Sequence, residues 1–141
     1  MQKVYAATRY FIIGYSILVA MMTLLYYLPS SLKSSIGFVV AAIVFVDLSY
    51  RFFKKSNLNV QPISWQTVIG WMTYWAILSI ALDVLLLVIL MPLLSTGSIS
   101  WAFFKQQPDI YWFQFPMFYV FGFVGQAIYN RVISISEANV N

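Results

Sequence analysis

Four long apolar stretches, separated by short polar segments, dominate the sequence. They cover about residues 10–28, 36–53, 65–94 and 112–133. Each approaches or exceeds the roughly 20 residues that a helix needs to cross a ~30 Å hydrocarbon core. The stretches lack the strict alternation of membrane-barrel strands, and helices satisfy every backbone polar group within lipid. The pattern therefore predicts an all-α integral membrane fold, in which residues 1–141 form one four-helix transmembrane bundle with antiparallel neighbours.

The composition agrees with a membrane environment. Apolar residues make up 62% of the chain and charged residues only 9%, whereas soluble domains are about 45–50% apolar and about 25% charged. Aromatic residues at 19% are also typical of membrane proteins, because Tyr and Trp favour the headgroup boundary. The net charge of +4 forms no basic stripe, so we expect membrane lipids and not nucleic acid as partners.

Basic residues are distributed unequally between the two ends of the predicted helices. Two of the eight, Lys33 and Lys105, lie on one side. The side that holds both termini has the other six: Lys3, Arg9, Arg51, Lys54, Lys55 and Arg131. Because cytoplasmic loops carry an excess of Lys and Arg, we predict that both termini are cytoplasmic and that the host is a bacterial inner membrane.

Cysteine and histidine are both absent, which removes several kinds of chemistry at once. No thiolate, disulfide, His-ligated metal or haem, or His general base can be built from this chain. The sequence also contains no phosphate-binding glycine loop and no Gly-x-Ser-x-Gly nucleophile motif. We therefore predict no cofactor, no metal, no catalytic residue and no enzymatic activity.

Asp83 is the one acid that lies deep within an apolar stretch. A charge at such a depth costs about 2.5–3.5 kcal/mol, so the side chain needs a partner or a function. Ser79 lies one helical turn before it, and Gln126 of the fourth stretch offers an amide as a mate. Two interpretations are open: a proton or cation site, or a structural hydrogen bond to a neighbouring helix or another subunit.

Two further groups of polar and aromatic residues stand out. Asp47 and Arg51 are four residues apart near the end of the second stretch, the spacing that favours an ion pair on one helix face. The segment between the third and fourth stretches contains Trp101, Phe104, Lys105, Tyr111 and Trp112. This segment is either an interfacial belt that anchors two helix ends or a lid or partner-binding site.

Small residues indicate where helices in lipid approach each other closely. We predict contact faces at Ser16 and Ala20 in the first stretch and at Gly37 and Ala41 in the second. The third offers Gly70, Thr73 and Ala76, and the fourth Gly122 and Gly125.

The size and four-span plan resemble the small drug exporters. Those proteins carry a glutamate within their first membrane helix, whereas the first stretch here contains no acid. The small fluoride channels are also four-helix proteins of this size, but the chain contains no matching motif. The resemblance therefore implies a size and a topology, and no activity.

Three functional classes are left. The missing catalytic motifs, the single deep acid and the aromatic segment favour a non-catalytic accessory subunit or assembly factor of a larger membrane complex. The alternative is a small transporter or channel, self-associated, that uses Asp83 with Gln126 and Ser79 as a proton or cation site. A membrane enzyme acting on lipid or peptide is the third class, and it requires a second ionisable group near Asp83. The expected partners are lipids and other membrane subunits or a second copy.

Overall fold

A computed structural model describes residues 1–27, 29–57, 61–106 and 110–138. All regular secondary structure in these ranges is helical, which confirms the all-α prediction. The elements are α1 (Gln2–Leu24) with a 3-10 turn (Leu25–Tyr27), α2 (Ser30–Ser56), α3 (Trp65–Asp83), a π-helical segment (Val84–Leu90), α4 (Met91–Thr96), α5 (Ala102–Gln106) and α6 (Ile110–Ala138). The apolar stretches mark the middle of the long helices better than their ends, because α1 begins eight residues before the first stretch.

Within the described residues, three helical spans are long and apolar enough to cross a membrane, which is consistent with a membrane protein. They are Gln2–Met21, Ser35–Ser56 and Trp65–Thr96. The third span continues from α3 through the π-helical segment into α4. The fourth predicted stretch lies within α6, which has 29 residues but is not among the three spans. The polar side chains of Gln126 and Asn130 and the internal Pro116 lower the hydropathy of α6.

The four long helices contact one another in the order α1, α2, α6, α3 and back to α1. Among the described residues, α2 and α3 lie diagonally opposite each other: none of their Cα atoms come within 8 Å, and they meet through ring contacts such as those of Phe52 with Trp71 and Trp75. Tyr10 meets Phe52, and Gly14 of the next turn of α1 meets Phe45, so α1 and α2 are antiparallel. Phe45 of α2 also packs on Phe118 of α6. Tyr50 and Tyr129 pack on each other further along the same two helices, so α2 and α6 run parallel.

Aromatic side chains from all four long helices fill the centre of this arrangement. We call this group the aromatic cluster; it consists of Phe11, Phe45, Phe52, Trp75 and Phe118. All five side chains are buried, and their contacting ring centroids are 5.1–6.2 Å apart. Tilted and edge-on pairs at such distances add about 0.5–1.5 kcal/mol each beyond burial. The cluster is therefore the main packing contact between the helices.

Glycine allows α6 to approach its two neighbours closely. A Cβ added at Gly125 would lie 2.7 Å from Cβ of Ser49 and 3.1 Å from the backbone nitrogen of Tyr50 in α2. A Cβ at Gly122 would overlap the side chain of Met72 in α3. The contact faces predicted at Gly122 and Gly125 are confirmed, and both positions exclude any larger residue without movement of a neighbour.

The contact face predicted for α1 is wrong. Ser16 and Ala20 are exposed, and Gly14 is the residue that approaches α2, where an added Cβ would lie 2.7 Å from Leu48. The contact face predicted for α3 is right in part: Ala76 is buried in the core, whereas Gly70 is exposed, with no neighbouring atom within 4 Å of an added Cβ. Small residues are tolerated on a lipid-facing surface as well as in a contact, so their spacing alone does not identify the packed face.

Candidate functional site

Among the described residues, Asp83 is the charged side chain that is buried. It is held by α1, a helix that the sequence did not connect to it. Its side chain is 8% exposed, at the last residue of α3. The hydroxyl of Tyr15 in α1 donates a hydrogen bond to Oδ1 of Asp83 at 2.6 Å. An O–H to carboxylate bond of this length belongs to the strong, charge-assisted class. The pair of Tyr15 and Asp83 is therefore the site on which a functional argument can rest.

Two contacts near the start of α1 set the register that brings Tyr15 to Asp83. The hydroxyls of Thr8 and Tyr74 are 2.7 Å apart. The indole nitrogen of Trp75 donates to the backbone carbonyl of Ala7 at 3.1 Å. Because Tyr15 and Asp83 both follow these contacts in the chain, α1 and α3 run parallel and remain side by side for about two turns. The site therefore depends on the packing of α1 against α3.

A signal for Tyr15 was present in the sequence. Tyrosine in membrane helices is enriched at the two boundaries of the bilayer, where the hydroxyl meets water. Tyr15 lies within the first apolar stretch and not at one of its ends. A buried tyrosine hydroxyl usually finds a hydrogen-bond partner, so an acid on another helix was the natural place to look.

The three residues predicted to act together are not all brought together. Ser79 is fully buried and lies one turn before Asp83 on α3. Gln126 lies at the opposite end of α3, where its amide nitrogen donates to the carbonyl of Ile63 at 2.5 Å. Ile63 precedes Asp83 by twenty residues, about 30 Å along a helix. α6 runs antiparallel to α3, so Gln126, in the second half of α6, lies beside the start of α3, whereas Asp83 lies at the end of α3. Antiparallel neighbours were predicted, but the predicted grouping of Gln126 with Asp83 did not take this direction into account.

Asn130 completes the polar contact at the start of α3. Its side-chain oxygen accepts from the backbone nitrogen of Ile63 at 2.9 Å, and its side-chain nitrogen donates to the carbonyl of the same residue at 3.2 Å. The carbonyl of Ile63 thus accepts hydrogen bonds from two side chains of α6, those of Gln126 and Asn130. These bonds tie the segment before α3 to the last third of α6.

The helix changes its hydrogen-bonding pattern directly after Asp83. The next seven residues, Val84–Leu90, are π-helical, a form that is rare and often found at functional sites. Pro92 has no N–H to donate to the carbonyl of Val88, as an α-helix would require. That carbonyl accepts instead from the backbone nitrogen of Ser100 at 3.0 Å, after the chain reverses at Gly97 with φ of 72°.

Asp47 and Arg51 form the ion pair that their spacing predicts, and it lies on the surface. Nε of Arg51 donates to Oδ2 of Asp47 at 2.7 Å, and both side chains are exposed. Exposed pairs of this kind contribute about 0–1 kcal/mol. The acid is on the outside of α2 and does not join Asp83, so the second ionisable group that an aspartyl enzyme needs is not supplied by Asp47.

The aromatic segment is described in part. Trp101 is 55% exposed and packs on Phe104, with ring centroids 5.8 Å apart. Lys105 is exposed and lies in the same short helix as Phe104, α5. The side chains of Tyr111 and Trp112, predicted to belong to the same surface, lie outside the described residues.

Within the described ranges, no three acidic side chains come together in a group that could hold a metal ion. Comparison with known proteins adds no relative: no family model, no curated protein sequence and no solved structure matches this chain.

Proposed function

We propose that this protein is a non-catalytic membrane subunit that acts by contact, as an accessory or assembly factor of a larger membrane complex. In this proposal α6 crosses the bilayer beside the three apolar spans, and both termini face the cytoplasm of a bacterial inner membrane. The charge distribution supports the orientation, since six of the eight basic residues belong to the side of the termini.

The observation that carries the proposal is the way in which the polar groups between the helices are used. Asp83 is engaged by Tyr15 across α1 and α3, and Gln126 is engaged by the backbone of Ile63 across α6 and the start of α3. Hydrogen bonds of this kind between membrane helices contribute about 0.6–2 kcal/mol. Both residues therefore stabilise contacts between helices. The outward-facing surfaces of the helices are left to interact with other molecules.

The hairpin of residues 84–106, which we call the π hairpin, is the surface that best fits a partner. Among the described residues, the Cα atoms of its helical segments come within 8 Å of α3 and of one another, but not of α1, α2 or α6. Seven of its described large apolar side chains are exposed: Leu85, Leu90, Met91, Leu93, Leu94, Ile99 and Trp101. An apolar transmembrane helix of another subunit would pack on this face by van der Waals contact.

The proposal is tested by the composition of the native particle. The full chain with a small C-terminal tag is extracted gently from its own membrane, and the mass and identity of the recovered particle are measured. Stoichiometric recovery of other membrane proteins is the expected result. A clean monomer or homo-oligomer would contradict an accessory role.

A second candidate function, proton-coupled transport, is favoured by the Tyr15–Asp83 pair itself. A phenol and a carboxylate 2.6 Å apart, next to a π-helical segment, form a short path along which a proton can pass. Proteoliposomes that contain the purified chain would then show a proton flux, and Asp83→Asn would abolish it. Equal flux in the wild type and in Asp83→Asn would exclude this candidate.

A further inference from the structure

A groove of about 500 Å³ opens at the end of the molecule that carries most of the basic residues. One face of α1 and the last turn of α2 form its walls. The side chains that line the groove include Gln2, Tyr5, Arg9, Tyr10 and Ile13 of α1, and Lys55 of α2. The α1 residues recur every three or four positions, so they line one continuous side of that helix.

The two basic side chains of the groove are not neutralised by the protein. Neither Arg9 nor Lys55 has a carboxylate partner among the residues that the structure describes. Arg51, one turn before Lys55, provides the contrast, because its guanidinium is engaged by Asp47. The groove therefore presents two positive charges to whatever enters it.

The groove also spans the level at which a lipid headgroup meets the hydrocarbon. Lys55 is the last residue but one of the apolar span Ser35–Ser56, so it lies at a membrane boundary. Tyr5 and Tyr10 are the residue type that concentrates at this boundary. Ile13 is one turn deeper in α1 than Arg9, on the side that an acyl chain would follow.

We propose that this groove, which we call the basic groove, binds an anionic phospholipid. The phosphate lies between Arg9 and Lys55, where the planar guanidinium can donate two parallel hydrogen bonds to its oxygens. Tyr5 and Gln2 offer further polar contacts to the headgroup, and the first part of an acyl chain lies on Ile13. The proposal requires that the protein is in a membrane, but it is independent of whether the protein acts as an accessory subunit.

The test measures lipid binding to the full chain. The purified protein in a neutral detergent is titrated with phosphatidylglycerol, and the bound fraction is read by native mass spectrometry. We expect Arg9→Gln/Lys55→Gln to weaken phosphatidylglycerol binding about 25-fold, the factor that results when each basic residue contributes about fivefold. The conservative variant Arg9→Lys/Lys55→Arg should keep binding within about threefold, because both charges remain.

The matched control is Lys54→Gln/Arg131→Gln. It removes the same charge from exposed positions outside the basic groove, and its affinity should stay within about threefold of the wild type. An equal loss in both double variants would indicate a diffuse surface field and overturn the proposal, as would no loss in either. Phosphatidylcholine should bind at least tenfold more weakly than phosphatidylglycerol. Displacement of the lipid by an equal concentration of inorganic phosphate would show a free-anion site instead.

Discussion

The two halves of the longest apolar span behave in opposite ways. Residues 65–83 form α3, which packs against α1 and α6 and buries six side chains, among them Trp75 and Asp83. Residues 84–96 continue the same span through the π-helical segment and α4, and Val88 is the one side chain buried there. Yet this span contains the most apolar 18-residue window of the three, with a mean hydropathy of 2.8, against 1.4 and 1.9 for the windows in the spans of α1 and α2.

Hydropathy along this chain therefore does not measure how deeply a side chain is buried within the protein. Lipid is as apolar as leucine, so an apolar helix gains little by turning its side chains towards another helix. Packing is decided by shape, by close approach and by polar ties. The packed half has the aromatic cluster and the hydrogen bonds to α1, whereas the other half offers branched aliphatic side chains to its surroundings. Single substitutions can test this contrast between the packed residues 65–83 and the exposed residues 84–96.

Replacement of a tryptophan should distinguish the two regions most strongly. Trp75→Ala removes a fully buried ring that packs on Phe11, Phe45 and Phe52. We expect the free energy of unfolding, measured by SDS titration in mixed micelles, to fall by about 3–5 kcal/mol. The control Trp101→Ala removes an exposed ring of the π hairpin and should change it by less than about 0.5 kcal/mol. Comparable losses in the two variants would show that the π hairpin is as well packed as the centre.

A pair of glycine substitutions should separate close helix contact from open helix surface. Gly125→Ala places a Cβ 2.7 Å from Ser49, so we expect a loss of about 1–3 kcal/mol from overpacking in the same unfolding assay. Gly70→Ala adds its Cβ in open space and should stabilise α3 by about 0.5–1 kcal/mol through helix propensity. The contrast in sign is the informative result, and a stable Gly125→Ala protein would argue against the close approach of α2 and α6.

The junction of the two regions is tested through the hydrogen bond of Tyr15. Tyr15→Phe removes a donor to Asp83 and should cost about 1–2 kcal/mol, because a buried carboxyl group loses one of its hydrogen bonds. In a double-mutant cycle with Asp83→Asn, we expect a coupling energy of about 0.6–1.7 kcal/mol. Tyr119→Phe is the matched control, since its hydroxyl meets Thr73 at an exposed site; it should cost less than about 0.5 kcal/mol. A coupling energy near zero would mean that Asp83 finds another partner of equal strength.

The sequence predicted those features that depend on local composition. Long apolar runs are enough to predict helices that can cross a membrane, because the length of a span is a property of the chain alone. The spacing of Asp47 and Arg51 predicted their ion pair for the same reason, since both residues belong to one helix. Gly122 and Gly125 were also found, because their helix carries no other closely spaced small pair in its middle.

The sequence could not predict features that depend on which helices are neighbours and which of their faces meet. The partner of Asp83 follows from the adjacency of α1 and α3, and no pattern within one helix contains that fact. The separation of Gln126 from Asp83 is different, because it follows from α6 being antiparallel to α3, a direction that the predicted topology already implied. The π-helical segment was missed as well, although Pro92 showed that the α-helical hydrogen bonds could not continue unchanged there.

The smallest expected effect on stability should come from the most exposed leucine of the π hairpin. Leu94→Ala shortens a side chain that is 80% exposed, and Leu24→Ala does the same at a 72% exposed position at the end of α1. Both variants should unfold within about 0.5 kcal/mol of the wild type, because neither position is packed within the chain. If a partner helix packs on the π hairpin, Leu94→Ala alone should reduce recovery of the partner from native membranes by about fivefold or more, the loss that follows from about 1 kcal/mol at a contact residue. An equal effect at Leu24 would indicate a general response to surface apolarity, and no effect at either position would place the contact elsewhere. The pair therefore decides whether the least packed part of the chain is exposed to lipid alone or is the surface by which the protein works.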